Sequence, residues 1–385
     1  MKISNGVIGS SKINLSKMCQ QADNVCNLKE NLEKPPITIV ITTYNSEVTI
    51  EDVLNALLFQ DYPLKLLEVI VVDGCSTDRT IDKVKEFLGR YRDKFYDFKL
   101  IIHDRNYGVS KARNDGIRLA RGKYILILDS DVILPPNAIS IMVSFLESNS
   151  KVGFCRPLLL HDSRDVISRW FYEINVGRIR KLISCADAAL IRREALKKAG
   201  LYDEAMGPPF SVDEDLELGA RIWKAGYQGV MLGNVIARHL KVAGDAHLNR
   251  MIGKRKANNY KMTLVTYGRW LIGYFRKSHR VSWYKFLKSL PLKLKFNFVF
   301  SSLFLPFTAI LLLGLLIPLP HYINVLALVC VILAYLTTLR DFMSKPRHIY
   351  KSVFLALLAC INRSVRTLAA LCAIVELKLT RVGKS

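Results

Sequence analysis

The chain has 385 residues, half of them hydrophobic, and a formal net charge of +23 at pH 7. This length allows two or three structural units, and the hydrophobic fraction is high for a soluble protein but low for one built mainly of membrane spans. The eight cysteines form no CxxC pair, which argues against structural zinc and a disulfide framework and favours reduced thiols. The positive charge lies outside any known nucleic-acid motif, so nucleic-acid binding is not favoured.

Residues 1–34 are polar and weakly patterned, and we expect a mobile N-terminal leader there. They show no apolar core typical of a signal peptide, and Lys2 stands where N-myristoylation requires glycine.

Residues 37–131 alternate short apolar runs with helical spacing of apolar residues. Strands are predicted at 37–41, 69–72, 100–102 and 124–128, and the helices between them include one around 110–120. This alternation predicts an α/β fold with a parallel sheet, in which ligands bind at the carboxyl ends of the strands. Further along, helices are predicted at 190–199 and 216–226.

The segment ILILDSDVILP at 125–135 would be a buried strand but for Asp129 and Asp131. Carboxylates in an apolar stretch cost several kcal/mol unless they are paired. We expect the missing positive charge to come from a divalent metal with a bound phosphate rather than from the chain, with Asp131 as a ligand. A turn or helix cap at the end of the strand is the alternative.

Two other predicted strand ends carry polar side chains. Asp73 can accept a hydrogen bond from a nucleobase or a ribose hydroxyl, while Ser76, Thr77 and Asp78 cap the next helix. Asn106 and Gly108 precede a helix that carries Arg113, an arrangement that suits a diphosphate. For Arg113, an ordinary position on a solvated helix face is the alternative.

Three consecutive acids, Asp213, Glu214 and Asp215, open the predicted helix 216–226. Acids in a first helical turn are expected from the helix dipole, but three exceed what capping needs. One of them could act as a general base.

The C-terminal part combines a basic block with an apolar one. Residues 241–295 hold 14 Lys and Arg against one acid, and 296–339 contain no charged side chain. This pattern predicts interfacial helices followed by a hairpin of two membrane spans, 296–320 and 322–339, with both ends on the cytoplasmic side. Segment 352–375 is either a third span or an amphipathic or re-entrant helix, since Arg363 and Arg366 lie in its middle.

The motifs occur in a telling order: TTYN at 42–45, VVDGCSTD at 71–78, NYGVSKARNDG at 106–116, DSD at 129–131 and DEDLELGARIWKAGY at 213–227. This set resembles the family-2 inverting glycosyltransferases with the GT-A fold, over residues 36–240. The resemblance implies a Rossmann-like nucleotide-diphospho-sugar transferase domain at 35–240. A leader at 1–34, basic interfacial helices at 241–295 and a membrane region at 296–385 complete the expected organisation.

The resemblance also implies roles for individual residues. Asp215 would be the catalytic base, and Asp187 and Glu214 would lie on the acceptor side. Asp131, Asp129 and His239 would hold Mg²⁺ or Mn²⁺. The UDP- or GDP-sugar donor would be bound by Thr42, Tyr44, Glu47, Asp73, Asn106, Gly108, Arg113 and Asp129.

No Q-x-x-R-W follows the acidic motif, which argues against a processive cellulose- or chitin-type synthase. The expected enzyme acts at the cytoplasmic face of the cell membrane, in contact with its lipids, on a lipid-linked or glycan acceptor. One alternative is a synthase whose acceptor is the polyprenyl or dolichyl phosphate itself. A second alternative, from another class, is a non-catalytic membrane protein that binds nucleotide sugars.

Overall fold

The computed structural model describes residues 34–161, 166–206, 214–240, 288–291, 302–316 and 321–342, with a few positions between 352 and 364. The predicted leader, nearly all of the basic block 241–295 and most of segment 352–375 lie outside the described residues. The predicted domain boundaries therefore stay predictions.

Within the described ranges, strands and helices alternate as the apolar pattern predicts. The strands are β1 (Ile37–Thr43), β2 (Leu67–Asp73), β3 (Asp97–Ile102), β4 (Tyr124–Asp129), β5 (Val132–Ile133), β6 (Val152–His161), β7 (Ile179–Leu182), β8 (Ala188–Arg192) and β9 (Gln228–His239). The helices are α1 (Ile50–Leu58), α2 (Thr80–Tyr91), α3 (Val109–Leu119), α4 (Ala138–Ser148), α5 (Val166–Asn175), α6 (Arg193–Ala199), α7 (Glu214–Lys224), α8 (Phe304–Leu316) and α9 (His321–Phe342).

These strands form one sheet in the order β3-β2-β1-β4-β8-β6-β9-β5, with β7 also paired to β9. The first four strands in this order run parallel, which confirms the predicted parallel α/β unit. The remaining half is mixed, because β8 is antiparallel to both β4 and β6 while β6 and β9 are parallel. The α/β class is thus correct, and the parallel sheet predicted for residues 37–131 is extended by a mixed half that the apolar pattern does not predict.

The predicted helix at 190–199 is wrong over its first three residues. Ala188–Arg192 is strand β8, and the helix begins only at Arg193. Leu190 and Ile191 pair with Leu126 and Ile125 of β4 and are fully buried. A short apolar run followed by a helix reads as one helix in sequence, and the neighbouring strand decides otherwise.

The core lies on both faces of the parallel half of the sheet. All seven residues of β1 are buried, as expected for a central strand covered by helices on each side. Ile39 and Ile41 pack with Leu54 and Leu57 of α1, while Val40 packs on the opposite face with Ile117 of α3.

Helix α7 approaches the chain before β8 very closely. A Cβ atom at Gly219 would stand 1.7 Å from the carbonyl oxygen of Ile183. Gly219 lies one turn after Asp215, on the same face of α7. The contact therefore brings the start of α7 against residues 183–185.

Helices α8 and α9 follow beyond a stretch that the structure does not describe. In the part of the chain that it does describe, no helix combines the length and the apolar character needed to cross a lipid bilayer. The predicted transmembrane hairpin thus finds no support in the described residues.

We predict that Gly219→Ala lowers the free energy of unfolding by about 1–3 kcal/mol, because the methyl group must displace a backbone carbonyl. Gly89→Ala in α2 is the matched control, since beyond the adjoining residues and backbone of α2 no described heavy atom lies within 4 Å of its Cβ position. Removing a helical glycine there should stabilise the protein by about 0.5–1 kcal/mol. Thermal unfolding of the two variants measures both changes, and equal melting temperatures would contradict the close approach.

Candidate functional site

The candidate site lies at the carboxyl ends of β1, β2 and β4. Thr43 is level with Asp73 across the β1–β2 pair, and Thr42 is level with Asp129 across the β1–β4 pair. The parallel register therefore places two predicted acids at one edge of the sheet, as the sequence predicts. Thr42 is buried beside them, while Tyr44 in the following loop is 45% exposed.

Asp73 is fully buried, and both of its carboxylate oxygens are engaged. Oδ1 accepts from the Ser76 backbone N–H at 2.7 Å and Oδ2 from the Ser76 hydroxyl at 2.6 Å. Asp73 thus shapes the loop after β2. Its predicted contact with a base or a ribose stays a prediction. The later acid, Asp78, accepts from the Thr80 backbone N–H at the start of α2, although Arg79 is the N-cap residue of that helix. The predicted capping by Ser76 and Thr77 is wrong, because their hydroxyls donate to Asp73 and Asn45.

The loop after β1 is fastened to the loop after β2. The Asn45 backbone N–H donates to the Ser76 hydroxyl at 2.8 Å, and Asn45 Oδ1 accepts from the Thr77 backbone N–H at 2.8 Å. Glu47 accepts from the Arg79 backbone N–H at 3.0 Å. Of the predicted donor-binding side chains here, Tyr44 is therefore the most open to a ligand, and Glu47 acts within the loop.

Asn106 and Gly108 form the turn into α3. The Gly108 N–H donates to Asn106 Oδ1 at 2.8 Å, and Gly108 has a φ of 89°. A side chain would be strained in this conformation, which explains the glycine. The predicted proximity of both residues to a nucleotide stays a prediction.

Arg113 occupies a position that the sequence does not predict. Its guanidinium is buried, donating from Nη2 to Asp129 Oδ1 at 2.9 Å and from Nη1 to Glu214 Oε1 at 2.8 Å. The expectation that the chain supplies no positive charge to the DSD segment is therefore wrong for Asp129. The alternative of a solvated Arg113 is wrong too, because the side chain is buried and each terminal nitrogen donates to a carboxylate. Its predicted contact with a diphosphate stays a prediction.

Burial and charge compete at this pair. Burial raises the pKa of Asp129 to about 6. The nearby guanidinium of Arg113 acts in the opposite direction and lowers this pKa, whereas the carboxylates of Asp187 and Asp131 add to the rise. For Arg113, burial alone would lower the pKa, but Asp129 and Glu214 raise it well above its usual value. The guanidinium is thus permanently charged, and removing either carboxylate would leave a buried cation with one partner fewer.

Asp131 lies beside His239, which the resemblance implies as a metal ligand. His239 Nε2 lies 3.1 Å from Asp131 Oδ2, and the ladder between β5 and β9 pairs Val132 with His239. His239 Nδ1 lies 2.9 Å from Nδ1 of His161, at the end of β6. Burial lowers the pKa of His239, but the hydrogen bond and the negative charge of Asp131 outweigh this effect and raise the pKa to about 9. The charge near Asp131 therefore also comes from the chain.

Asp187, predicted on the acceptor side, stands next to the same strand end. Its backbone carbonyl accepts from the Asp129 N–H at 2.8 Å. Its φ is 67°, a conformation that non-glycine residues seldom adopt outside functional or tightly held positions. Arg156 of β6 donates to its carboxylate.

The two described acids at the start of α7 have different surroundings. Glu214 is buried and paired with Arg113, whereas Asp215 is partly exposed and accepts a hydrogen bond from the Ser184 hydroxyl. The Cys185 thiol donates to the Asp215 backbone carbonyl at 3.1 Å. Asp213 lies outside the described residues. Of the two described acids, Asp215 is the more exposed, and its predicted role as the catalytic base stays a prediction.

The residues present fit a divalent metal that is shared with a phosphate. Within the described ranges, no three His, Cys, Asp or Glu side chains converge closely enough to hold a metal by themselves. Hard divalent cations, however, commonly take one or two carboxylates together with phosphate oxygens. Asp131 is about one-third exposed, and the carboxylates of the site outnumber the basic side chains that pair with them.

Three side chains of the site were not predicted: Arg156, Ser184 and His161. A signal existed for Arg156, because a single cation interrupts the apolar run of β6 just as the two aspartates interrupt β4. Ser184 and His161 carry no such signal, since their partners are 31 and 78 residues away in sequence.

We predict that His239 stabilises the protein in a pH-dependent way in buffer containing EDTA. Because the folded-state pKa is raised from 6.5 to about 9, the stabilisation is complete below pH 6.5 and disappears as the pH rises through 9. At pH 6, the free energy of unfolding of the wild type should exceed that of His239→Gln by at most about 3 kcal/mol.

Denaturant unfolding from pH 6 to pH 10 measures this difference. Asp131→Asn should remove the same pH dependence. If the difference in free energy of unfolding between the wild type and His239→Gln stays constant from pH 6 to pH 10, the ion pair does not form.

Comparison with known proteins gives consistent matches. A family model described as "Glycosyl transferase family 2" matches residues 38–200. A second model, "Glycosyl transferase family group 2", matches residues 124–340, which is more than half of the chain. The two matches together cover all the described residues of the candidate site.

Individual relatives are more distant. The chain is 27% identical over 211 residues to the poly-beta-1,6-N-acetyl-D-glucosamine synthase of Staphylococcus epidermidis, over 52% of this chain and 48% of that protein. It is 29% identical over 219 residues to WfaP of Escherichia coli, a UDP-Glc:alpha-D-GlcNAc-diphosphoundecaprenol beta-1,3-glucosyltransferase, over 56% of this chain and 80% of that one. The chain thus spans about half the length of the first of these relatives.

Among solved structures, the mannosyltransferase PcManGT from Pyrobaculum calidifontis, in complex with GDP-Man and Mn²⁺, aligns with a TM-score of 0.48. Its sequence identity to this chain is 20%, and the alignment covers 91% of this chain and 94% of that one.

Proposed function

The chain belongs to glycosyltransferase family 2 and is a glycosyltransferase, and from this premise we propose that it moves a sugar from a nucleoside-diphosphate donor to a lipid-linked or glycan acceptor, with inversion at the anomeric carbon. One observation carries the proposal. Arg113 joins Asp129, at the end of β4, to Glu214, at the start of α7, although Glu214 lies 101 residues from Arg113 in sequence. The donor-side and acceptor-side acids thereby share one site.

The relatives support the choice of donor to test first. The name of WfaP specifies UDP-Glc, and the staphylococcal relative is named for a polymer of N-acetyl-D-glucosamine. UDP-glucose and UDP-N-acetylglucosamine are therefore the first candidates, and a GDP-sugar is the next.

On the donor side, Asp131 would hold a divalent metal, with Asp129 behind it fixed by Arg113. The metal, when bound, would neutralise the charge that develops on the leaving diphosphate. Mg²⁺ and Mn²⁺ both suit carboxylate and phosphate oxygens. His239 lies at hydrogen-bond distance from Asp131 and would orient that carboxylate.

On the acceptor side, Asp215 is the base. The Ser184 hydroxyl holds one of its carboxylate oxygens, which leaves the other to accept the proton of the acceptor hydroxyl. The acceptor oxygen then bonds to the anomeric carbon from the face opposite the diphosphate. The bond between that carbon and the diphosphate oxygen breaks, and its electron pair leaves with the nucleoside diphosphate. One such displacement inverts the configuration.

We predict that Asp215→Asn lowers kcat by about 10²–10⁴-fold, because the amide cannot take the acceptor proton. Asp82→Asn is the matched control: it replaces an exposed acid in the first turn of α2 and should leave turnover unchanged. The measurement is transfer of radiolabel from UDP-sugars to lipid and polymer in membranes that contain the full chain. Full transfer by Asp215→Asn would show that Asp215 is not the base, and a wild type that binds UDP-sugars without transferring label would favour the non-catalytic alternative.

We also predict that EDTA abolishes transfer and that Mg²⁺ or Mn²⁺ restores it. Asp131→Asn should raise the metal concentration needed for half-maximal rate at least tenfold, because a neutral amide is a weaker ligand for a hard cation than a carboxylate. Titration of each metal against the initial rate provides the test. Undiminished activity in EDTA would rule out the metal role of Asp131.

The acceptor and the cellular location belong to the same proposal. The basic stretch 241–295 and the uncharged stretch 296–339 suit a cytoplasmic membrane surface, and the apolar side chains Val325, Val329, Ile332 and Leu336 of α9 are exposed. WfaP, by its name, acts on a diphosphoundecaprenol-linked sugar. A lipid-linked sugar at the bilayer surface is therefore the favoured acceptor.

Two measurements separate the alternatives. Cell fractionation should recover the full chain with membranes, and recovery in the soluble fraction would overturn the location. Mild acid releases the glycan from both polyprenyl monophosphates and diphosphates, and with a lipid-linked sugar as acceptor the released label should be a disaccharide or larger. Release of a labelled monosaccharide would instead favour the polyprenyl-phosphate synthase.

A further inference from the structure

We propose that Arg113 is a positioning residue that sets the separation between the donor-side acids and the acceptor-side base. This inference rests on the proposed function and deepens it, since it assigns to Arg113 a role in turnover rather than in donor binding. The evidence for this inference is the burial of the guanidinium, its two carboxylate partners and the residues that hold the guanidinium in place.

The guanidinium has two occupied ends. Nη2 donates to Asp129 Oδ1 at 2.9 Å, and Nη1 donates to Glu214 Oε1 at 2.8 Å. Asp129 is two residues before Asp131, and Glu214 is directly before Asp215. The fork of one side chain thus connects the strand end proposed to hold the diphosphate with the helix start that carries the base.

Arg113 is itself held rigidly. The ring centre of Tyr202 lies 5.2 Å from the guanidinium carbon. Tyr202 is bound to α3 by Asn114, which donates from Nδ2 to the Tyr202 carbonyl and accepts from the Tyr202 N–H, both at 2.9 Å. A stacked and clamped guanidinium has little rotational freedom, so its two carboxylate partners are held at a fixed distance.

Direct binding of the donor by Arg113 is less compatible with this geometry. Only 3% of the residue is exposed, and both terminal nitrogens face carboxylates. Loss of the bridge would instead let the start of α7 shift relative to β4. Transfer between two bound reactants is steeply sensitive to such shifts, since a displacement of about 1 Å can cost a factor of 10² in rate.

Lysine is the informative replacement for Arg113. Its ammonium keeps the positive charge but is a single point that cannot span two carboxylates in a fork. We expect Arg113→Lys to lower kcat about 10–100-fold and to change the KM for the donor less than threefold. Glu214→Ala, which removes only the acceptor-side partner, should give the same pattern, and the double variant should be no slower than the slower single variant.

Glu214→Gln is the conservative variant. Its amide oxygen still accepts from Nη1, so the bridge persists without the charge, and kcat should recover at least tenfold relative to Glu214→Ala. A role in stability alone would not produce this recovery in the turnover of folded enzyme.

Arg121 offers a matched control away from the site. It also joins two carboxylates, those of Glu68 and Asp97 near the amino ends of β2 and β3, and its side chain is half exposed. Arg121→Lys should leave both kcat and KM unchanged.

The experiment uses the full chain in membranes, UDP-N-acetylglucosamine or UDP-glucose as donor, and rates normalised to folded enzyme. Glu214→Ala carries the test if Arg113→Lys fails to fold. If the wild type transfers sugar and Arg113→Lys and Glu214→Ala keep its kcat, the positioning role is overturned and the proposed function is not. A rise in donor KM at constant kcat would also overturn the positioning role and would assign Arg113 to the donor. A wild type without transfer from any nucleotide sugar would overturn the proposed function, and this inference with it.

Discussion

The buried guanidinium of Arg113 is the interaction on which the site depends. Two carboxylates from separate parts of the chain, the largely buried Glu214 and the partly buried Asp129, meet on it. Without the shared cation, their mutual repulsion and desolvation would force them apart or force them to take up protons. The arginine therefore decides where the start of α7 can lie relative to the end of β4.

The same principle organises the rest of the site. Asp187 is paired with Arg156, and Asp131 with His239, so each of these acids has a basic partner from a different strand. Asp215 differs, because the neutral hydroxyl of Ser184 holds its carboxylate. An acid that is oriented by a neutral donor and partly open to solvent is suited to exchange protons, whereas an acid in an ion pair is suited to hold position.

The fold provides the frame for these pairs through two features. The parallel register of β1, β2 and β4 aligns the ends of the strands at one edge. The close approach at Gly219 lets α7 lie directly against residues 183–185, where a larger side chain would hold it away. The first feature follows from the alternation of strands and helices, and the second depends on a single absent side chain.

The amino-acid sequence by itself determined the α/β class, the strands of the parallel half, the position of the acids at strand ends and, through the order of the motifs, the family. These features are local: apolar periodicity, capping residues and motif spacing are all read within a few tens of residues. Only the tertiary structure decided which charges pair. It showed that residues 190–192 belong to strand β8 and not to the expected helix, that Arg113 faces inward, and that the positive charge beside Asp129 belongs to the chain. Such pairings join residues up to 101 positions apart, and their energy depends on burial and distance, which arise only when the sheet and α7 come together.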